Sequence, residues 1–299
     1  MNKRFSSLSN ANCYEDLRGK ECGWKNIIGP TAGTYDIIEN DYYSRSTIND
    51  EILKKKHILF LGDSFVFGHG VTHADTMGVH FEELLNTKWP TYNDEYCVIN
   101  LGVPGSSYEH AYLRLQQWCN QFGDNIHSVY FGLTHPFRKM HVLDYSMDVG
   151  ITFENLYDST TNINIGDFLI DQKPTNNHAD VLLAHREFYR YTACRPAIDI
   201  LTQWDRQVAM LKTQGKAYQF NTCTFQTGAT DISPPEHETI KQQADVLEGF
   251  PKFMYIHTGQ DDKLNDSHLI DPITNRHWNG LGNKQVAFNL HKMTKHWYD

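Results

Sequence analysis

The chain has 299 residues and no run of about 18 apolar residues, the length a helix needs to cross a bilayer core, so no membrane span is expected. Residues Met1 to Asn12 lack the apolar core of a Sec signal peptide. The expectation is a soluble chain, cytoplasmic by default, with release by another route or incorporation into an assembly left open. Its six cysteines, Cys13, Cys22, Cys97, Cys119, Cys194 and Cys223, form no Cys-x-x-Cys pair, and free thiols are the default. Basic charge is also short. With 27 Lys+Arg against 36 Asp+Glu, the formal charge of -9 provides no field for a phosphate backbone, which disfavours nucleic acid as a partner. The one compact basic run, Lys54 to Lys56, precedes an apolar stretch and reads as a solvated entry loop. There is no Gly-Lys-Ser/Thr and no Rossmann glycine triplet, so no nucleotide cofactor is expected. Among the 16 histidines, His69-x-x-x-His73 and the Asp266-x-His268 pair have ligating spacings but no second pair to close a four-ligand set, and no metal is expected. The chain also lacks internal repeats and Pro/Gly/Ser linkers.

What is present is an ordinary globular composition, 40% hydrophobic and 21% charged, sufficient for a substantial core. Short apolar runs alternate with segments of helical periodicity, a pattern that predicts an α/β fold: a three-layer α/β/α, flavodoxin-like, doubly wound parallel sheet of about five strands. Strands are expected near 57–61, 96–101, 127–133, 217–223 and 253–257. Asp75 and Thr76 are expected to cap a helix carrying Val79, Leu84 and Leu85. Ser106-Ser-Tyr-Glu109 reads as a capping box before Ala111, Leu115, Trp118, Cys119 and Phe122. A third helix carries Ile198, Leu201, Trp204, Val208 and Leu211 and meets Gly215, and a closing helix carries Val286, Leu290, Met293 and Trp297. Cys97 and Cys223 fall in strand-like runs and are expected to pack as small hydrophobes.

The most informative segment is His57-Ile-Leu-Phe-Leu-Gly-Asp-Ser-Phe-Val-Phe-Gly-His-Gly-Val71. Ile58 to Leu61 are apolar without alternation, as in a parallel strand covered on both faces, and the run stops at Gly62, Asp63 and Ser64. Ligands in open α/β sheets bind outside the carboxyl ends of strands, which is where Ser64 falls. The plainer reading is a serine at the start of an ordinary helix. Further blocks follow in order: Val98-Ile-Asn-Leu-Gly-Val-Pro-Gly105, Val129-Tyr-Phe-Gly-Leu-Thr-His-Pro-Phe-Arg138, and His277-Trp-Asn-Gly-Leu-Gly282 with a helical pattern after it.

Together these blocks resemble the SGNH/GDSL hydrolase family over residues 57 to 297. The resemblance implies Ser64 as nucleophile, His277 as base, and an oxyanion hole of Ser64, Gly102 and the residue at position 134. Two side chains depart from the family pattern. Thr134 stands where the family has asparagine, and the carboxylate of Asp-x-x-His is absent, with Thr274 three before His277, Asn275 two before it, and Asp271 as the nearest upstream acid. A serine hydroxyl needs a base to take its proton, and a histidine titrating near neutrality can accept it and return it to the leaving alkoxide. Losing one oxyanion donor in such an enzyme costs about 100- to 1,000-fold in turnover. Thr134 offers one donor hydrogen where asparagine offers two, and Arg138 could compensate. Asp271 is the candidate to fix the His277 tautomer, with a backbone carbonyl as the alternative. Asp63 is expected to accept from loop N–H groups.

The resemblance implies a carboxylic-ester hydrolase, an O-deacylase or deacetylase of a carbohydrate or other acylated substrate. The partners expected are thus a small-molecule or glycan ester, with no cofactor. The other reading is a protein that keeps the fold without turnover and acts as a glycan-binding or assembly component. Residues 51–299 would form the domain, with 1–50 as an extension packed on it. An insertion at about 139–195 either shapes the substrate pocket or, like 1–50, makes an oligomer or assembly contact.

Overall fold

The computed structural model describes residues 22–23, 34–35, 44–46, 48–88, 95–103, 106–134, 138–142, 160–164, 196–214, 218–227, 253–254, 264, 266–271 and 275–298. Five parallel strands make the central sheet: Lys56–Leu61 (β1), Tyr96–Asn100 (β2), Ile126–Leu133 (β3), Asn221–Gln226 (β4) and Phe253–Met254 (β5), in the order β2-β1-β3-β4-β5. This is the flavodoxin-like order, which reverses direction beside β1 and opens a crevice at its carboxyl end.

The sequence of β1 explains its central place. Ile58, Leu59, Phe60 and Leu61 are fully buried, and successive side chains enter different cores because a strand alternates faces. Leu59 and Leu61 join Leu115, Trp118, Leu201, Trp204 and Val208 on one side of the sheet. Ile58 and Phe60 join Phe81, Leu85, Val286 and Leu290 on the other. The first layer is built from helices Tyr108–Phe122 (α3) and Pro196–Thr213 (α4). The second comes from Met77–Lys88 (α2) and Gly280–Thr294 (α5). Aromatic stacking ties the sheet to α4, where Phe131 lies on Trp204 with ring centroids 3.9 Å apart, and joins neighbouring strands, where Phe60 lies on Tyr130 at 4.9 Å. Behind Tyr130 its hydroxyl meets Thr294 Oγ1 at 2.6 Å and the Tyr298 hydroxyl at 2.9 Å, and Tyr298 reaches Ser128 Oγ at 2.9 Å.

Several expectations shift in detail. The fourth strand begins at Asn221, where pairing with Ser128 starts, instead of near 217. Ser107, not Ser106, caps α3, its hydroxyl accepting from the His110 N–H at 3.4 Å, while Ser106 Oγ is bonded to the Ser107 carbonyl and lies 3.2 Å from His110 Nδ1. Neither Asp75 nor Thr76 lends its side chain to the start of α2. Thr76 donates back to the His73 carbonyl and Asp75 accepts from Thr72, closing the short 3-10 turn His73–Asp75. Val286 and Leu290 are buried as expected, but Met293 is 37% exposed. Cys97, Cys119 and Cys223 are buried free thiols, and burial pushes the Cys97 thiol up to about 12.

Gly215 lies outside the described residues, as do most of 1–50 and of the expected insertion at 139–195. At the start of the latter, the strand Arg138–Val142 pairs antiparallel with Thr160–Asn164. Of the former, Ser44, Arg45 and Ser46 are buried against the end of β2. The Arg45 N–H and the Ser44 hydroxyl both donate to the Asn100 carbonyl, and the Asn100 N–H donates to Ser46 Oγ. Among the described residues no helix is long and apolar enough to cross a membrane.

Candidate active site

β1 ends in Gly62, whose φ of 151° is a conformation that L side chains rarely adopt, and a Cβ there would stand 2.5 Å from Val66 Cγ2. Asp63 follows in extended conformation, and its carboxylate accepts the Phe65 N–H at 3.1 Å, capping the single-turn helix Ser64–Phe67 (α1). Asp63 thus holds the turn, the role expected of it. Ser64 occupies the first helical position, 6% exposed, and its N–H makes no hydrogen bond among the described residues, as expected for the first turn of a helix.

His277 arrives from a separate antiparallel hairpin, Leu269–Asp271 (β6) with Asn275–Trp278 (β7). Asn279 joins that hairpin to α5. Its side-chain carbonyl accepts from the Gly282 N–H at 3.0 Å, and its amide donates to the carbonyls of Ser267 and Leu269. The outcome is a distance of 2.7 Å between His277 Nε2 and Ser64 Oγ, across 213 positions of sequence. The imidazole stacks on Phe65, with centroids 4.5 Å apart and planes at 24°, and on His69, at 4.6 Å and 26°. His69 itself is buried, and burial first, with the Arg45 cation second, lowers its pKa from 6.5 to about 4.

The remaining expected residues are placed unevenly. Thr134 follows β3, fully buried, and its hydroxyl has no hydrogen-bond partner among the described residues. Asp271 ends β6, where its backbone pairs with Asn275 on the strand that carries His277. The Arg138 side chain lies outside the described residues. The Gly102 N–H donates to Asn100 Oδ1 at 3.0 Å. The glycine serves close packing: a Cβ at 102 would lie 2.5 Å from the Phe67 nitrogen and 2.9 Å from the Val66 carbonyl carbon. The other glycine of that block, Gly105, lies outside the described residues.

Two residues that support the site were not singled out from the sequence. Asn100 donates through Nδ2 to the Val66 carbonyl at 2.9 Å while accepting from Gly102, so it ties the end of β2 to the serine's turn. A polar residue closing the apolar run Tyr96-Cys-Val-Ile was the available signal. Arg45, fully buried, donates to the Phe67 carbonyl at 2.9 Å and to the carbonyls of Gly68 and Val71, and its guanidinium lies 4.8 Å from the Phe67 ring centroid. It satisfies carbonyls left open where α1 ends. Nothing in local sequence marks it, because its partners are more than twenty positions away.

No family model matches the chain, and no curated protein sequence matches it. Similar solved structures include a G-D-S-L family protein from Desulfitobacterium hafniense DCB-2, at 10% identity and TM-score 0.41, covering 80% of this chain and 99% of the other. The psychrotrophic esterase EstA from Pseudoalteromonas sp. is 14% identical with TM-score 0.39, covering 82% and 99%. A family 3 carbohydrate esterase from Clostridium thermocellum is 14% identical with TM-score 0.38, covering 81% and 96%. The chain's own residues define a flavodoxin-like α/β protein with a serine–histidine couple at the carboxyl end of its central strand.

Proposed function

We propose that the protein is a serine ester hydrolase of the SGNH/GDSL type, working through an acyl-serine intermediate. The observation that carries this reading is the 2.7 Å separation of Ser64 Oγ and His277 Nε2. That is the range in which a base takes a proton as the oxygen attacks. Ser64 Oγ adds to the ester carbonyl as its proton passes to His277 Nε2. The resulting imidazolium returns that proton to the leaving alkoxide, and water activated by the same nitrogen then releases the acyl group. The Ser64 N–H, at a helix N-terminus, is one donor for the oxyanion, and the Thr134 hydroxyl, buried and without a partner among the described residues, is the second. Asp271, or a backbone carbonyl in its stead, accepts from His277 Nδ1 and fixes the tautomer. The acyl group sits on a carbohydrate or another O-acylated small molecule, the substrate class that the motif resemblance implies.

Replacing Ser64 with Ala tests this. Hydrolysis of p-nitrophenyl acetate is expected to vanish with the fold intact, and unaltered turnover would remove Ser64 from the chemistry. One observation favours the reading as a binding protein without turnover: the Gly102 N–H is already engaged by Asn100. A glycan bound without any ester cleavage would decide for it.

A further inference from the structure

We propose that His69 is a positioning residue, its ring holding, together with Phe65, the His277 imidazole in the orientation that sets Nε2 on Ser64 Oγ. The inference rests on the serine-hydrolase reading above and concerns how the base is aligned.

His277 stands on a two-stranded hairpin that, among the described residues, shares no strand pairing with the central sheet. Its alignment with Ser64 therefore depends on what its ring touches. Two of those contacts come from the serine's own turn: Phe65 and His69 both stack on the imidazole, at 4.5 and 4.6 Å. Their placement is built into the backbone. The His69 N–H donates to the Ser64 carbonyl at 2.9 Å, so His69 is tied to the very residue whose hydroxyl its ring helps to align. Gly68 and Gly70 flank it at φ 79° and 84°, and a side chain at position 70 would strike Ile270 Cδ1 at 2.4 Å, so the loop lies directly against β6. Arg45 anchors the same loop through the carbonyls of Gly68 and Val71. Gly68, His69 and Gly70 together form a ring support.

The chemistry suits a neutral ring. When His277 accepts the serine proton it becomes a cation, and a charged neighbour stacked on it would repel that state. Burial and Arg45 keep His69 neutral above about pH 4, so the stack survives proton transfer. On this account the ring, and not its nitrogen chemistry, is what position 69 supplies.

The test compares His69→Phe, which keeps a flat ring, with His69→Leu and His69→Ala, which do not, using kcat and KM for p-nitrophenyl acetate and thermal unfolding in parallel. Misplacement of a catalytic group by about 1 Å costs on the order of 100-fold, so Leu and Ala are expected to lose about 10- to 100-fold in kcat with KM within about twofold, and Phe to restore turnover to within about threefold of the parent. The proposal is overturned if Leu turns over like the parent, or if Phe, folded with an unchanged melting temperature, is as slow as Leu. Ser64→Ala measured alongside separates the two claims. If it remains active the serine mechanism itself fails, whereas an inactive Ser64→Ala beside a fully active His69→Leu removes only the ring support.

Discussion

Gly102→Ala is the sharpest perturbation of the serine's seat. The added methyl would stand 2.5 Å from the Phe67 nitrogen, 2.9 Å from the Val66 carbonyl carbon and 3.0 Å from Val66 Cβ, where ordinary contact begins at 3.4 Å. The two nearest atoms belong to the backbone of α1, so no side-chain rotation relieves the clash. The end of β2 and the turn must part by roughly 1 Å, an overpacking that costs about 1–3 kcal/mol. The Asn100 bridge to the Val66 carbonyl and to the Gly102 N–H lies in the same gap and lengthens with it. Because Ser64 opens the displaced turn, its Oγ moves relative to His277, and a misplacement of that size costs on the order of 100-fold in turnover. The assay is kcat for p-nitrophenyl acetate with a denaturant melt of the same sample. Gly78→Ala serves as the control, since its Cβ meets only side-chain atoms, Val98 Cγ1 at 3.1 Å and Asn100 Cβ at 3.8 Å, and it is expected to keep most of the activity. Parent-like kcat and stability in Gly102→Ala would refute the claim that this turn is held by rigid close packing.

Further outcomes follow from buried polar groups. Tyr298→Phe removes the hydroxyl bonded to Ser128 and Tyr130 and is expected to cost about 1–2 kcal/mol of stability with kcat unchanged; a neutral urea midpoint would contradict it. Arg45→Leu removes the guanidinium donor from the Phe67 and Val71 carbonyls and leaves the Gly68 carbonyl with the Val71 N–H at 3.4 Å, at about 1–3 kcal/mol for each carbonyl left buried and unpaired, and is expected to lower the melting temperature sharply; an unchanged melt would show those bonds to be dispensable. His57 accepts from Trp118 Nε1 through Nδ1, and burial lowers its pKa from 6.5 to about 4. The unfolded chain therefore takes up the proton first. The stability this residue contributes is complete above pH 6.5 and is lost as pH falls toward 4, with a slope of up to about 1.4 kcal/mol per pH unit. His57→Gln is expected to flatten the acid limb of the stability curve by that amount, and an undiminished slope would rule the residue out.

The layered fold was legible because its strongest signals are local. Ile58 to Leu61 run without polar alternation and stop at Gly62, the pattern of a strand covered on both faces, and Leu115, Trp118, Leu201 and Trp204 stand at helical spacing, the pattern of helix faces packed on it. Boundaries that depend on a distant partner were less visible: the start of β4 is set by where Ser128 pairs, and the choice of Ser107 over Ser106 by which residue turns out of the helix. At the site, Ser64 and His277 carry motifs and are found together. At Gly102 the close approach of a turn and an opening for an oxyanion both suit glycine, and the Asn100 side chain that accepts its N–H follows from no spacing rule. Arg45 and the stacking of His69 are long-range facts that no spacing rule contains.

The most direct measurement uses a fluorophosphonate probe, which reacts with a serine activated by a neighbouring base, followed by peptide mapping of the parent and of His277→Ala. The account predicts a single adduct on Ser64 in the parent and its loss in the folded His277→Ala variant. A parent whose Ser64 stays unlabelled, or a His277→Ala variant labelled at the same rate, would contradict it.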